Sequence, residues 1–339
     1  MNIISSNAKG FFLGVLSAAA LFLAFGALWI GDELSQAVFT PAGFFKINKG
    51  DTLREVALSL SKEGVIDNPL LLLWYGEITG RGRLIRSGVY EISSALKVKE
   101  LLELFEKGSN VRFRLTLPEG ITLKKSLERM REAGFSVEEE FFLNPPRYLS
   151  ARYQFLSDLP EGQSLEGFLF PDSYLFDPDQ TSEKIAVALL DAFNQKFKPE
   201  WYEAIQRQGQ TVRETVIIAS ILEKEVPTLK EKKIVSGILW KRLALGMPLQ
   251  LDATVNYATG KSLAAVTYED LKTDSPYNTY KYQGLPPGPI SNPGEESLEA
   301  AVFPEPSEYW FYLSRQDTGQ TIFSKTYRQH TLAKARYLR

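Results

Sequence analysis

The stretch TVRETVIIASILEKEVP, residues 211–227, carries the clearest structural signal in the chain. Thr211 and Glu214 have the spacing of a capping box, in which the two residues satisfy each other's backbone N–H groups at the start of a helix. Pro227 stops the helix, because proline cannot continue the backbone hydrogen bonding. The stretch therefore predicts a helix that begins after Thr211, ends near Val226 and has two glutamates in its last turn.

The two glutamates, Glu223 and Glu225, fall on different sides of this helix. At about 100° per residue, Glu223 lies among the apolar side chains, and Glu225 lies about 200° away beside Glu214. A carboxylate on an apolar face loses hydration, and the negative end of the helix dipole also favours its protonated form. Glu223 would then suit the role of a general acid. Periodicity leaves open the alternative that Glu223 reaches solvent or pairs with a buried Arg or Lys.

Composition narrows the chemistry that the chain can perform. The 339 residues include 39 basic and 41 acidic side chains, a net charge of −2, so no broad positive field exists for nucleic acid and we expect no such partner. The chain has no cysteine, which excludes disulfides, thiol catalysis and cysteine-bound zinc. The presence of one histidine, His330, argues against a serine–histidine hydrolase. We expect His330 to be structural or exposed and not catalytic. Acid–base chemistry therefore falls to carboxylates, Lys or Tyr.

Residues 10–30, GFFLGVLSAAALFLAFGALWI, carry no charge and are long enough to span a bilayer core of ~30 Å. Lys9 precedes the segment and Asp32 follows it, so the positive-inside rule predicts a cytoplasmic tail over residues 1–9 and an external body. We thus expect a single-pass protein of the cytoplasmic membrane, followed by a linker over residues 31–43. A cleaved signal peptide is the alternative, although its apolar region is usually shorter.

The rest of the chain predicts an α+β fold in two parts. From Phe44, a strand (FFKI), two helices (LREVALSLSKEG and NPLLLLWYGEITG) and a strand (SGVYEIS) form a small βααβ module within residues 44–115. Residues 116–160 form a connecting segment, and residues 161–339 form a mixed α+β domain. Helices are predicted over Thr181–Phe197 and Leu229–Leu245, and the tail from Pro248 is predicted as mostly loops and short strands.

Three further features are weaker candidates for a site. Asp252 could accept a hydrogen bond from a sugar or simply cap a turn. The segment YNTY, residues 277–280, together with Gln283 offers aromatic rings and polar groups of the kind that carbohydrate needs, or is an ordinary surface loop. The run GLPPGPISNPG, residues 284–294, is stiff because four prolines restrict its backbone, so it could form the wall of a groove or a plain structural loop.

Taken in order, these motifs resemble those of the endolytic murein transglycosylases of the MltG/YceG-like family. The resemblance covers essentially the whole chain, and it is carried by the N-terminal apolar segment and by LPEG (117–120), LEGFLFPDSYLF (165–176), ASILEKE (219–225), LQLDATVNYA (249–258), SPYNTY (275–280), GLPPGPISNPG (284–294) and FSKTY (323–327).

The resemblance implies a function and a set of site residues. Its βααβ module is similar to LysM-like modules, which bind glycans, and its catalytic domain would cleave peptidoglycan without a metal or cofactor. The resemblance implies Glu223, the first glutamate of ASILEKE, as the catalytic acid. It further implies a glycan groove lined by Glu166, Gln250, Asp252, Tyr277, Asn278, Gln283 and Asn292. Work alongside peptidoglycan synthases is implied by the resemblance alone.

The chain departs from the family pattern at two positions. Thr321 stands where G-x-H-x-F-S has a histidine, and Gln329-His330-Thr331 replaces the usual E-H-N. Any substrate contact made by that first histidine must be absent here.

The implied reaction breaks the β-1,4 bond between N-acetylmuramic acid and N-acetylglucosamine of nascent strands and leaves a 1,6-anhydro end, which terminates strand elongation. One carboxylate can suffice, because the 6-hydroxyl of the sugar itself attacks C1 and no enzymic nucleophile is needed, whereas ordinary glycosidases use two carboxylates. Asp252, or the N-acetyl group of the substrate itself, would ease the charge that develops at C1. Two alternatives stay open: a non-catalytic LysM-like scaffold that binds cell wall, and a two-carboxylate hydrolase that leaves reducing ends.

Overall fold

The computed structural model describes residues 43–92, 96–109, 111–261, 266–315 and 317–338, which divide into two compact units. One unit comprises the described residues up to Phe113 with Asp177–Asp179, and the other comprises Arg114–Phe176 and the described residues from Gln180 onward. The predicted tail and membrane helix lie outside the described residues, as does the predicted linker apart from Gly43. Within the described ranges, no helix is both long and apolar enough to cross a membrane.

The first unit has the βααβ order that the sequence predicts, followed by one more helix. Strands β1 and β2 pair antiparallel, with Gly43 opposite Ile92 and Ile47 opposite Gly88. Thr52 and Glu55 form a capping box at the start of the first helix. The elements are β1 (Gly43–Ile47), α1 (Leu53–Lys62), α2 (Pro69–Ile78), β2 (Gly88–Ile92) and α3 (Val98–Lys107).

The core of the first unit confirms the helical spacing read from its sequence. Leu53, Val56, Ala57 and Leu60 of α1 are all buried. Helix α3 contributes Phe105, whose ring meets that of Tyr90 edge-on at a centroid distance of 4.9 Å. The module therefore has a hydrophobic core of its own, which α3 completes.

The second unit is mostly helical, so the protein as a whole is a mixed α+β structure, as predicted. Strand β3 (Phe113–Thr116) pairs with β4 (Ser173–Phe176), and β5 (Phe311–Ser314) pairs antiparallel with β6 (Thr321–Ser324). The helices are α4 (Leu123–Glu132), α5 (Glu139–Leu143), α6 (Tyr148–Arg152), α7 (Ser182–Lys196), α8 (Pro199–Arg207), α9 (Val212–Glu225), α10 (Leu229–Ala244), α11 (Asp252–Thr259), α12 (Glu295–Val302) and α13 (Tyr327–Tyr337).

Helix α9 is the central element of the second unit. The predicted capping box of Thr211 and Glu214 is present. Its middle, from Thr215 to Leu222, is buried on every side, because α8, α10, α11 and α12 all pack around it. Ser220, a polar residue in this middle part, is therefore buried as well. A helix enclosed in this way has no single apolar face, so periodicity alone could not assign an environment to each glutamate.

The proline-rich loop over residues 284–294 covers the polar side of α9. The Ile290 N–H donates to Ser220 Oγ at 3.0 Å, and Ser291 Oγ donates to the Ser220 carbonyl at 3.0 Å. These bonds satisfy the buried Ser220 hydroxyl and fix the loop against the helix. The loop is thus chiefly structural, the second of the two roles that the sequence allowed, although Ile290 also borders the groove described below.

Two predictions about organisation need correction. Residues 116–160 do not form a separate connector, because Leu127, Phe142 and Leu149 are buried in the core of the second unit. The tail, predicted to be mostly loops and short strands, contains three α-helices among its described residues, α11, α12 and α13. Helix α13 has a local sign that the prediction overlooked, a capping box formed by Thr326 and Gln329. Helix α12 has no such sign, because the group that caps it comes from α9.

Candidate active site

A groove of about 1520 Å³ lies within the second unit. Its walls are the start of α4, the end of α9, the segment leading into α11, strand β5 and helix α13. The polar side chains that meet at its centre are Arg242, Gln250, Asp252, Tyr280, Tyr312 and, from the last position of α9, Glu225. A groove of this size can hold several sugar rings.

Glu225 has the properties of a group that exchanges protons near neutral pH. Tyr312 donates its hydroxyl to Glu225 Oε2 at 3.0 Å, and the backbone N–H of Ala253 also donates to the carboxyl. Burial, with a smaller contribution from the nearby charge of Asp252, raises the pKa of Glu225 to about 7 against the opposing effect of these hydrogen bonds. Glu225 is only half-buried as a residue, so its carboxyl remains open to the groove.

Asp252 stands beside Glu225 as the first residue of α11. Its Oδ1 accepts a hydrogen bond from the Tyr280 hydroxyl at 2.6 Å. Burial, followed by this bond to the carboxylate, raises the pKa of Tyr280, so the phenol stays protonated and keeps donating. The bond orients one carboxylate oxygen and leaves the carboxylate charge next to the acid.

The turn before Asp252 is strained. Gln250 has a φ of 55°, and among the described residues it is the only non-glycine with a positive φ. Two bonds to Thr279 hold this turn: the Gln250 N–H donates to the Thr279 carbonyl at 3.2 Å, and the Leu251 N–H donates to Thr279 Oγ1 at 2.9 Å. Strain kept in place by surrounding contacts is typical of functional sites, and here it leaves the Gln250 side chain exposed at the groove.

Arg242 fixes the two walls on either side of Glu225. Its guanidinium donates from Nη1 to the Leu249 carbonyl at 2.8 Å and from Nε and Nη2 to the Trp310 carbonyl at 3.0 and 2.6 Å. It is almost fully buried, and burial lowers its pKa. Arg242 thereby ties the turn before Asp252 to the strand that carries Tyr312.

Glu223 points to a different place from the one that the sequence favoured. Its Oε2 accepts hydrogen bonds from the Gly294 N–H at 2.9 Å and from Ser297 Oγ at 2.6 Å, both at the start of α12. Its Oε1 lies 3.5 Å from Lys232 Nζ, and the two side chains are only 9% and 4% exposed. Glu223 is therefore not on an apolar face and does not line the groove; it pairs with a buried lysine, as the alternative reading allowed.

Glu166 borders the groove at the end formed by α4, but protein groups already occupy its oxygens. Both oxygens accept the Leu123 N–H at 2.9 Å, and Tyr257 donates its hydroxyl at 3.2 Å. Burial raises the pKa of Glu166 to about 7, although these bonds oppose the rise. Its first role is to hold the start of α4 against α11.

The four remaining predicted residues lie outside the groove lining. Tyr277 is half-buried against the ring of Tyr257, at a centroid distance of 4.8 Å, and Gln283 is exposed. Asn278 is fully buried, donates to the Leu271 and Thr273 carbonyls at 2.9 Å, and accepts the Tyr280 N–H at 3.1 Å. Asn278 thus shapes the loop that presents Tyr280 and has no exposed polar atom for a glycan.

Asn292 is also fully buried. Its Oδ1 accepts the N–H groups of Gly167 and Leu169 at 3.0 Å, and its Nδ2 donates to the Ile121 carbonyl at 3.0 Å. The side chain therefore joins three loops and cannot touch substrate in this arrangement. The expected direct contact with the glycan is replaced by a structural one.

The positions that depart from the family pattern lie in or near the wall behind β5. Thr321 is buried and its N–H donates to Glu231 Oε1 at 3.2 Å. His330 borders the groove, stacks on Phe311 at a centroid distance of 5.2 Å, and has a pKa that burial lowers to about 4. His330 is therefore neutral at physiological pH and supports the wall by packing.

Sequence reasoning missed three residues of this site: Glu225, Arg242 and Tyr312. The helical wheel places Glu225 beside Glu214, away from the apolar side chains, and in the folded protein that position borders the groove. Arg242 and Tyr312 lie in segments without a recognisable motif, and their positions depend on contacts made far along the chain.

Comparison with known proteins places the chain in the family that its motifs resemble. The sequence model of the YceG-like family matches residues 45–336. An endolytic murein transglycosylase of Bacillus subtilis (strain 168) is 29% identical over 313 residues, which cover 86% of this chain and 84% of the relative. An endolytic murein transglycosylase of Streptococcus pneumoniae (serotype 2, strain D39) is 28% identical over 357 residues, which cover 96% of this chain but 64% of that relative. This chain thus spans less than two thirds of the length of the pneumococcal protein.

A solved structure supports the same fold. The crystal structure of a protein described as YceG-like from Listeria monocytogenes matches with a TM-score of 0.59 and 29% sequence identity. The match covers 87% of this chain and 100% of the other.

The buried contacts of Asn292 generate a prediction about stability. Asn292→Asp should lower the free energy of unfolding by about 2–4 kcal/mol, because it removes the donor to Ile121 and places a carboxylate in the interior. Urea denaturation followed by fluorescence measures the change. Gln283→Glu, at an exposed position, is the matched control and should shift stability by about 0.5 kcal/mol or less. Unchanged stability of Asn292→Asp, combined with weaker glycan binding, would show instead that Asn292 contacts substrate.

Proposed function

The chain belongs to the YceG-like family, and from that premise we propose that it is an endolytic murein transglycosylase. It would cleave the β-1,4 bond between N-acetylmuramic acid and N-acetylglucosamine within peptidoglycan strands and leave a 1,6-anhydro end. The observation that carries the proposal is the Glu225 carboxyl, whose pKa burial raises to about 7, at the centre of a groove of about 1520 Å³. The names of the bacterial relatives agree with this activity.

The reaction asks one carboxyl to act twice. Glu225, protonated, gives its proton to the glycosidic oxygen as the bond from C1 to that oxygen breaks. The 6-hydroxyl oxygen of the same muramic acid then bonds to C1, and its proton returns to the Glu225 carboxylate. Atoms and charges balance without water, and the enzyme ends in its starting state. A pKa near the working pH suits both steps, because the group must lose and regain a proton readily.

Glu225 is the better candidate for this acid than Glu223, the residue that the sequence favoured. Glu223 accepts two hydrogen bonds and faces the ammonium of Lys232 within the protein interior. Those contacts hold both of its oxygens, its side chain is only 9% exposed, and it does not line the groove. Glu225 has an open groove and lacks a cationic partner among the described residues. We therefore assign the acid to Glu225 and a capping role to Glu223.

Asp252 and Arg242 support the acid in different ways. Asp252 carries a negative charge beside the reacting position, which would ease the positive charge that develops on the sugar ring at C1. It also discourages ionisation of Glu225. Arg242 is a positioning residue, since it acts through the Leu249 and Trp310 carbonyls and not on substrate.

We also propose where the enzyme works. The apolar segment over residues 10–30 would anchor the chain in the cytoplasmic membrane, with residues 1–9 in the cytoplasm and both compact units outside. The first unit, with its βααβ order, would act as a LysM-like glycan-binding module. The predicted linker of residues 31–43 keeps the enzyme within roughly 20 Å of the bilayer if it is flexible. Such an enzyme would cut nascent strands and end their elongation, alongside the synthases that make them.

Substitution of each glutamate tests the assignment. Glu225→Gln should lower the rate of anhydro-muropeptide release by at least about a hundredfold, since glutamine cannot donate a proton. Glu223→Gln should keep measurable release but cost about 3 kcal/mol of stability, because it leaves Lys232 buried without its partner. Rates are measured by mass spectrometry of products from isolated peptidoglycan, and stability by urea denaturation.

The products separate the competing functions. Loss of release in folded Glu223→Gln but not in Glu225→Gln would return the acid to Glu223. A scaffold without catalysis predicts that neither variant matters and that deletion of residues 44–95 abolishes function. A two-carboxylate hydrolase predicts reducing ends, which differ in mass from 1,6-anhydro ends by one water.

The pKa of Glu225 predicts the direction of the pH dependence. Because the first step requires the protonated acid, kcat/KM should fall as pH rises above about 7, by about tenfold per pH unit. The rate is measured between pH 5 and pH 9 on soluble glycan strands. A profile that stays flat through pH 8 would exclude Glu225 as the acid.

Stability provides an independent readout of the same group. The folded state holds the Glu225 proton more tightly than the unfolded chain, where the ordinary pKa is 4.5. Its stabilising contribution is therefore complete below pH 4.5 and is lost as pH rises through about 7. The stability of Glu225→Gln relative to the native protein should then increase between pH 5 and pH 8, by on the order of 1 kcal/mol after allowance for water in the groove.

Removal of the N-terminal segment tests the anchor. The complete chain, expressed in a bacterium, should sediment with membranes, and a chain that begins at Gly31 should not, because its apolar span of ~30 Å is gone. Both forms should release anhydro-muropeptides from soluble strands. Membrane fractionation with added protease measures attachment and orientation. A complete chain found free of membranes, or shortened at its N-terminus as by signal cleavage, would contradict the anchor.

A further inference from the structure

Three lysines converge on the end of the groove formed by α4 and α9. Lys124 and Lys125 lie in the first turn of α4, and Lys224 precedes Glu225 in the last turn of α9. All three are exposed, line the groove, and make no ion pair with any residue in the described part of the chain. Lys224 reaches toward Gly120, since its Nζ would lie 3.2 Å from a Cβ placed there. A larger residue at position 120 would crowd this ammonium.

The carboxylates around these three lysines are held by other groups or form no ion pair with them. Burial lowers the pKa of Lys224, and the neighbouring charge of Lys125 lowers it further. The two carboxylates whose charges raise the pKa of Lys224 are Glu223 and Glu166. Both are engaged, Glu166 by the Leu123 N–H and the Tyr257 hydroxyl, and Glu223 by Lys232 and α12. The other charged lining residues nearby are Glu128 and the paired Arg131 and Glu139.

Ammonium groups without partners beside an active site indicate an anionic part of the substrate. The muramic acid whose C1 bond is broken carries a lactyl group on the same ring, and a peptide stem with free carboxylates is attached to that group. A stem must therefore lie near Glu225 whenever a strand that bears stems is cut. Lys224 and Glu225 are adjacent in the chain, so the ammonium cluster and the acid lie within reach of one sugar unit and its stem.

We propose that Lys124, Lys125 and Lys224 bind a carboxylate of the peptide stem on the muramic acid at the cleaved bond, so that the enzyme selects strands that bear stems. This inference rests on the proposed transglycosylase function. A carboxylate bound by two or more ammonium groups gains charge-assisted hydrogen bonds, which are stronger than neutral ones. The lysines are thus specificity residues, and the proton chemistry remains with Glu225.

The stem is a better match than the pyrophosphate that links a nascent strand to its lipid. An enzyme that cuts within strands meets a stem at every muramic acid, whereas the pyrophosphate occurs once, at the strand end. The three lysines lie beside the acid, so they can meet a stem at every bond that the enzyme cuts.

The test compares two substrates with one pair of lysines changed. The variant K124Q/K125Q removes two charges and keeps the length and helix preference of both side chains. Its kcat/KM is measured by anhydro-end formation on soluble strands with stems and on the same strands stripped by an amidase. The ratio of the two values should fall about tenfold relative to the native enzyme, which corresponds to about 1.4 kcal/mol. Lys230→Gln, an exposed lysine away from the groove, is the matched control and should leave the ratio unchanged.

The design distinguishes failure of this inference from failure of the proposed function. An equal loss on both substrates, or no loss, would overturn the stem assignment, and thermal melting checks that the variant is folded. A ratio that depends only on whether strands keep their lipid pyrophosphate would assign the cluster to that group. If the native enzyme cleaves neither substrate, affinity replaces kcat/KM. Binding of strands with stems and of stripped strands to the Glu225→Gln protein is then compared. If that protein prefers strands with stems, and adding K124Q/K125Q abolishes the preference, the lysines bind the stem. This result would hold even if the transglycosylase proposal were refuted.

Discussion

The buried ion pair of Glu223 and Lys232 is the contact on which the arrangement around the groove depends. It joins α9 to α10, and the other oxygen of Glu223 accepts the Gly294 N–H and the Ser297 hydroxyl at the start of α12, so one carboxylate ties three helices together. Removal of either partner would leave a buried charge without compensation, which is among the costliest defects that a core can carry. Because Glu223 must face this interior, Glu225, about 200° further around the helix, must face the other way.

That constraint explains how one short motif supplies both a structural and a chemical group. The first glutamate pairs with Lys232 and accepts two hydrogen bonds, and the second borders the groove without a cationic partner among the described residues, where burial raises the pKa of Glu225 to about 7. Because its pKa is raised, Glu225 lowers the stability of the fold above neutral pH. The same raised pKa lets Glu225 donate and accept a proton readily at the groove. Lys224, between the two glutamates, lines the groove together with Lys124 and Lys125, the lysines to which we assign the carboxylate of the stem.

Local signals allowed much of the fold to be predicted. Helices α1, α7 and α9 each begin after a threonine whose side chain accepts an N–H of the first turn, and such caps can be recognised within four residues of sequence. The cap of α12 could not be recognised in this way, because it joins residues 71 positions apart. The helical wheel also misjudged Glu223, since it assumes one buried face and α9 is enclosed on all sides in its middle.

The sequence by itself determined the family to which the chain belongs, the order of most of its helices and strands, and the short list of residues from which a site could be built. The tertiary structure decided which of them form it. Asn278 and Asn292 belong to the interior, Asp252 borders the groove with Gln250, and Glu225 takes the position that the sequence offered to Glu223. The physical reason is that hydration, charge and hydrogen-bond partners set the chemistry of a carboxyl, and distant segments such as Lys232 and Tyr312 supply them only once the chain is folded.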